Sequence, residues 1–478
     1  MPMMFLWMLM TWLGQQPGAK PAAAPASSLD FTVFKTQVEP IFLAKRPGHA
    51  RCVSCHSTGT PLRLQALSPG AATWNDAQSQ KNFEAVQKEI LPGVPLKSRL
   101  LIHPLATDAG GDHFHNGGKH WTSQSDPEWQ ILAAWVNGKP MPAAAKTASA
   151  AAASKPAAAG ASMHGPRIIQ TNSAGDTVDI IDPATNKVVG RITDIEVNHG
   201  AAAAPDGSRI YVSNESNSSL DVADSKTLTV TKRIPLSGHP NNIAVSKDGR
   251  RVYVAIAQAP GAVDVIDTTT LTRVKSIPIK GAGHNAYVTP DGKWVVAGSV
   301  GGTSLTVIDS TTEETVWSMI FDNGVRPITF STNPDGSTKQ MFVQISELHG
   351  FAVVDFATHK EVQRITLPDV PGVKKNTEGV QGSPSHGIGL TPDGKTIWAT
   401  SKWYGYVFAY SMPDLKLLGG VAVGGDPDWL TFAPDGKSVY VACAASDWVS
   451  VVDVKTIKEV TRIPVGFVPK RNTTAVFP

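Results

Sequence analysis

The chain has 478 residues, too many for one small domain, and a length prior points to two or three. Its formal net charge is only +3, charged residues make up 17%, and no basic run occurs, which argues against a nucleic-acid partner. Gly 42 and Pro 35 suit a turn-rich β protein, and the three cysteines are Cys52, Cys55 and Cys443.

The apolar stretch from Met3 to Leu13 has the length of a signal-peptide core and is too short to span a bilayer. Small residues follow at Ala22, Ala23, Ala24 and Ala26, and the first basic side chain is Lys20, so the usual positive leader is missing. Residues 1–28 are therefore expected to be a signal peptide or an uncleaved membrane anchor with a polar linker.

Residues 29–142 carry a helical pattern. Phe31, Phe34, Val38, Ile41 and Phe42 recur at helical spacing. Cys52-Val-Ser-Cys55-His56 follows at once. Two cysteines two residues apart can each add to a haem vinyl group, and the next histidine can turn onto the iron, so C-x-x-C-H signs covalent haem c. Half of a zinc site is the alternative, but structural zinc takes four ligands and no second C-x-x-C exists. A second helix is expected from Asn75 to Ile90. A third opens at Asp126-Pro127-Glu128, carries Trp129, Leu132 and Trp135, and stops at Gly138. With haem on Cys52 and Cys55 no disulfide is possible, and Cys443, in an apolar run, reads as a buried inert thiol.

The order helix, C-x-x-C-H, loops and closing helix resembles a small class I cytochrome c domain, with His56 as proximal ligand. That family commonly draws its distal methionine from the loop before the last helix. Here the loop holds none and offers His103, His113, His115 and His120 instead, while Met141 falls after the closing helix. His115 is the preferred distal ligand, because the following Asn-Gly-Gly lets the backbone approach a porphyrin closely. Each histidine could instead be a solvated loop residue or bind a haem propionate. Bis-histidine ligation lowers the potential relative to His/Met and suits electron transfer. Haem c is normally attached outside the cytoplasm, so a periplasmic or otherwise exported bacterial protein is expected. Residues 143–165 are Ala-rich, lack an apolar stripe and read as a flexible tether.

From residue 166 to 478 the chain repeats, mostly every 42 to 44 residues. The turn Pro-Asp-Gly starts at 205, 290, 334, 392 and 434, with Lys247-Asp248-Gly249 as a variant. A strand ending in Asp recurs at Asp182, Asp267, Asp309, Asp355 and Asp453, with weaker copies at Asp224 and Ser411, which makes seven. Seven units of four short strands signal a seven-bladed β-propeller. The end around Thr474 to Val476 matches a first strand and the start at Ile168 a second, so the last segment can close the first blade. Tyr211-Val212-Ser213-Asn214 is close to the tetrapeptide of the YVTN family, and this half resembles a YVTN-type propeller. The expected fold class is thus multidomain, a small all-α cytochrome c domain followed by an all-β propeller.

Aligning the seven first strands on their apolar cores places His199, Asn241, His284, Arg326, His386, Asp428 and Asn472 at equivalent positions around one channel mouth. His239, Asp426 and Lys470 stand two residues earlier. Loops on that face bring Glu215, Glu347, His349, Lys402, Trp403, Tyr404, Asp447 and Trp448. A longer repeat inserts residues between about 367 and 385 on the same side, and long loops over a mouth are commonly functional. The mouth candidates for ligand or substrate are His199, His239, His284, Arg326, His386 and Asp428. Capping of strand ends is the simpler use for any one of them.

Two functions remain open. One is an exported electron carrier whose single covalent haem c serves a redox partner protein, with the propeller as a platform for that partner or for a small ligand. The other is a haem-c-dependent oxidoreductase holding a metal or second haem at the mouth. Haem c beside a histidine-bearing propeller resembles dissimilatory nitrite reductase, although that family has eight blades. Nitrous oxide reductase has seven but needs more histidines for its copper cluster. Propeller lactonases are a third resemblance and need no haem, so a hydrolase fits the fusion least.

Overall fold

The computed structural model describes residues 29–57, 60–68, 70–140, 163–377 and 382–478. Residues 1–28, expected to be a signal peptide or anchor, and the candidate ligand Met141 with the Ala-rich stretch up to residue 162 lie outside them. No helix among the described residues is long and apolar enough to cross a membrane.

The first helical stretch runs as Phe31–Val33, a π-helical turn Phe34–Val38, and Glu39–Leu43. Pro40 supplies no N–H, and a widened turn just before it is the usual accommodation of such a break. Asp30 caps the start by accepting the Val33 N–H at 2.9 Å. Cys52–His56 forms one short helix, and Asp76–Gln87 a longer one closed by an Asn75/Gln78 capping box. The closing helix Pro127–Val136 starts at Asp126, whose side chain accepts the Glu128 N–H, and ends before Gly138 at φ +59. These elements share a core of Phe34, Val38, Leu101, Leu105, Leu132 and Val136, all fully buried, and among the described residues the propeller adds none to it. Buried Arg46 ties its base together through Glu128, with Nε at 2.8 Å.

The remaining chain forms seven four-stranded antiparallel sheets. The last strand, Pro469–Phe477, pairs with the first, Gly165–Asn172, in the sheet that also contains Val178–Asp182 and Lys187–Ile192. That union of chain ends within one blade closes the ring. Second and third strands are almost wholly buried, while fourth strands expose Val274, Val316, Val362, Leu417 and Val460 on the rim. Cys443 is fully buried, and burial pushes its thiol up to about 11.

The first strands carry a recurrent irregularity. Pro427 pairs with Cys443 and Trp429 with Ala442, which leaves Asp428 outside the ladder. Gly283 and Asn285 flank His284 in the same way, Asn198 and Ala201 flank His199, and Val325 and Ile328 flank Arg326. A bulge re-aims the extra side chain out of the sheet, and repeated around a ring it builds a mouth. In the closing strand Asn172 pairs with Pro469 and Thr171 with Arg471. Lys470 therefore takes the seventh position, not Asn472, whose amide instead donates to the Tyr440 carbonyl at 3.2 Å.

Candidate functional site

The C-x-x-C-H helix lies on the propeller face that bears these bulges. Glu196, three residues before His199, is the anchor. Its carboxylate accepts from Ser54 Oγ at 2.7 Å, Lys45 Nζ at 2.7 Å and Arg51 Nη2 at 3.0 Å. Burial pushes Glu196 toward its protonated form, but these donors outweigh burial and hold it at about 2. The Ala50 N–H donates to the Ala174 carbonyl at 2.8 Å, and the His49 ring stacks on Phe467 with centroids 3.9 Å apart. His113 meets Asn376 of the long loop at 2.8 Å. Burial first, then Glu215, pushes the Cys55 thiol up to about 12 while Lys470 opposes, so the motif sits within electrostatic reach of the mouth.

His56 and His115 face each other with ring centroids 6.1 Å apart and planes 23° from parallel. His56 Nδ1 lies 3.0 Å from the Leu62 carbonyl and His115 Nδ1 2.7 Å from the Gly118 carbonyl. A carbonyl only accepts, so each Nδ1 carries the proton and each Nε2 keeps its lone pair. Burial lowers the pKa of both imidazoles, which favours this neutral form. Gly117 makes room: a Cβ there would sit 2.8 Å from His115 Cε1. A metal ion held by two imidazole nitrogens at about 2 Å each separates the ring centres by about 6 Å, close to the distance found. Among the described residues no group of three or more His, Cys, Asp or Glu could hold a metal ion unaided. Two imidazole nitrogens so placed could serve a metal ion whose remaining donors come from a porphyrin.

The other loop histidines are engaged differently. His103 Nδ1 is 2.6 Å from Asp112 Oδ2, and its ring is 4.6 Å from that of His115. His120 is paired with His49, ring centroids 4.8 Å apart, and burial lowers both, His49 to about 4.

The mouth histidines fall into two contact groups. On one side the Glu215 carboxylate lies against His199 Nδ1 and 3.6 Å from His239 Nε2. Burial favours protonated Glu215, but the two imidazoles and Lys470 reverse that and hold it at about 2. On the other side His284 and His386 bring their Nε2 atoms to 3.5 Å. Arg471 donates to Asn285 Oδ1 at 2.9 Å, which turns the Asn285 amide nitrogen toward His284 Nδ1 at 2.6 Å. His284 therefore accepts at Nδ1 and carries its proton on Nε2, which points the hydrogen bond at His386 Nε2. His386 Nδ1 then donates to the Asp428 carbonyl at 2.7 Å. Burial, reinforced at His284 by Arg471 and Arg326, keeps both rings neutral.

Below them Lys402, 3% exposed, bridges Asp426 at 3.0 Å and Asp428 at 2.8 Å. Burial works against all three charges. The two carboxylates still hold Lys402 above its ordinary pKa, and Lys402 with His386 holds Asp428 well below its own. Burial wins at Asp426, which is raised. Arg326 Nε donates to Ser346 at 2.9 Å. His349 packs between Trp403 and Tyr404, with Lys375 of the long loop 3.2 Å above the Trp403 ring. Glu196 stands at no repeated position, and the register of Arg471 is set only by the closing ladder, so sequence alone singles out neither.

Two family models match parts of the chain. One, the cytochrome D1 heme domain, matches residues 168–290, a span that holds His199, His239 and His284. The other, a 7-bladed β-propeller lactonase, matches residues 280–463. No protein with a curated function matches by sequence. Hydrazine synthase of Kuenenia stuttgartiensis is similar in structure at 24% identity and TM-score 0.53, over 60% of this chain and 92% of that one. Periplasmic gluconolactonase PpgL of Pseudomonas aeruginosa is similar at 18% identity and TM-score 0.54, over 66% and 99%. Dihydro-heme d1 dehydrogenase NirN, solved in complex with DHE, is similar at 16% identity and TM-score 0.50, over 79% and 91%. At these identities the likenesses establish the propeller fold, which the chain shares with haem-d1-related proteins and with lactonases.

Proposed function

We propose that the chain is an exported c-type cytochrome, with residues 29–142 as a cytochrome c domain tethered through 143–165 to a propeller. Cys52 and Cys55 would carry the thioether bonds and His56 and His115 the iron. Bound there, haem c supplies a one-electron centre. The observation that carries this reading is the His56/His115 pair, 6.1 Å apart with both Nδ1 atoms committed to main-chain carbonyls. The chain's own residues do the rest. The Leu62 and Gly118 carbonyls fix the tautomer and ring angle, a form of outer-shell control that tunes ligand strength. Glu196 holds the haem-bearing helix against the mouth, where His199, His239, His284, Arg326, His386 and Asp428 would meet a small ligand, while the outer surface of the propeller would serve a redox partner protein.

A second reading makes the protein an oxidoreductase with a second haem or a metal at the mouth. The match of residues 168–290 to the cytochrome D1 heme domain supports it. A hydrolase leaves the C-x-x-C-H unit without a use. The test is protein matured in a host that attaches haem c, read by mass spectrometry, a pyridine haemochrome spectrum and metal analysis. The first reading expects one covalent haem and no other metal. A chromophore extractable by acidified acetone, or a second metal lost in His284→Ala, would establish the second. Protein that acquires no covalent haem would overturn both.

A further inference from the structure

The ring has another end. Behind the mouth the first strands enclose a cavity of about 550 Å³, within the size range of small-molecule sites. Its walls come from the alanines at 201, 202, 203 and 204, from Ile243, Ala244, Val245 and Val288, and from Ala475 and Val476. The alanine run in the strand Asn198–Ala203 explains the space, since larger side chains there would fill the axis. The cavity reaches solvent where Val476, 59% exposed, and Pro205 line it, away from the C-x-x-C-H helix.

Its inner end is polar. Arg471, 2% exposed, lines it beside Trp429, Tyr287 and Asn242. The guanidinium donates to Asn285 at 2.9 Å and to the Asn241 amide oxygen, and it lies 4.5 Å over the Trp429 ring. Its Nε has no hydrogen-bond partner, and among the described residues no carboxylate lies within ion-pair distance of it. The Tyr287 hydroxyl accepts the Ile328 N–H at 3.3 Å and keeps its own proton to give. Asp428 and Glu215 act on this guanidinium only from beyond contact, so its unpartnered Nε leaves room for an anion to bind it directly.

We propose that this cavity is a binding site for a small aliphatic monocarboxylate, entering from the face opposite the haem motif. The carboxylate meets Arg471, with Tyr287 as a second donor, and the alkyl part lies along Ile243, Val288 and the alanine wall. The site opens away from the mouth, but the two share Arg471, which also turns Asn285 toward His284.

The test uses the full-length haem-loaded protein, with hexanoate, hexanamide and inorganic phosphate as probes in titration calorimetry and thermal melting. Hexanoate is expected to bind once per chain and raise the melting temperature, with hexanamide and phosphate about ten-fold weaker or worse, the scale of one charge-assisted hydrogen bond. Arg471→Gln should erase the preference for the acid over the amide. Because that change also removes buried hydrogen bonds, Ala244→Phe serves as the second variant. It keeps Arg471, narrows the cavity, and should abolish hexanoate binding while the ligand-free melting temperature barely moves. Equal binding of acid and amide, no binding of hexanoate at millimolar concentration, or hexanoate binding that survives Ala244→Phe would each overturn the proposal.

Discussion

The helical segment and the propeller mouth both concentrate histidines, yet they use imidazole in opposite ways. In the helical segment His56 and His115 give their N–H groups to main-chain carbonyls and keep a lone pair each, which is the state a metal requires. In the mouth the second ring nitrogen is spent as well: His199 meets the Glu215 carboxylate, His284 lies between Asn285 and His386, and His386, whose Nδ1 also donates to a main-chain carbonyl, gives its Nε2 lone pair to His284. Side-chain type alone does not separate a ligand from a strut. The partner on the second ring nitrogen does.

The largest test of that contrast is at Lys402. If the mouth is a framework of buried charge, Lys402→Met strands Asp426 and Asp428 and should cost about 3–5 kcal/mol, read by chemical denaturation of the propeller. A cost under about 1 kcal/mol would mean the mouth is solvated and adaptable, as surface charge pairs are.

Next comes the join between the regions. Glu196 sits at about 2 against an ordinary value of 4.5, which corresponds to about 3 kcal/mol at neutral pH. The carboxylate is depressed in the folded protein, so its contribution is complete above pH 4.5 and drains away as pH falls toward 2. Glu196→Gln should let the helical segment melt before the propeller at pH 7, and the helical segment of the variant should be less acid-sensitive than that of wild type between those values, while Glu215 keeps its own share. Identical melting of the two proteins at pH 7 would show that the anchor carries no load.

The smallest effect concerns direction. Nitrogen NMR should find the mobile proton of His284 on Nε2 and that of His386 on Nδ1. Asn285→Asp replaces the donor facing His284 Nδ1 with an acceptor and should move the His284 proton to Nδ1, at a stability change of about 1 kcal/mol. An unmoved tautomer would contradict the chain Arg471, Asn285, His284, His386.

Much of this architecture is written in local signals. Pro-Asp-Gly turns and strand-ending aspartates give the blade count, and the C-x-x-C-H pentapeptide occupies one helix beside the expected caps at Asn75 and Asp126. The closing strand was harder. Asn472, Thr473 and Thr474 stand where the other first strands are apolar, so hydrophobicity alone favours a register two residues off. A slip of two preserves which face each side chain takes, and alternation cannot detect it. Only the ladder, with Thr171 opposite Arg471, fixes Lys470 in the ring. The seating of the helical segment on the mouth had no sequence signal, because Lys45, Arg51 and Ser54 find Glu196 across some 150 residues of chain. The separation of His199 from the His284/His386 pair was equally hidden, since equivalent ring positions say nothing about which neighbour a side chain chooses.

The central claim is that His56 and His115 are the axial pair. Low-temperature electron paramagnetic resonance of the oxidised, haem-c-matured protein tests it directly. The account predicts a low-spin bis-imidazole signal that His115→Ala converts to high spin, while His103→Ala and His120→Ala leave it in place. A sulfur-to-iron charge-transfer band, or a signal indifferent to His115→Ala, would contradict it.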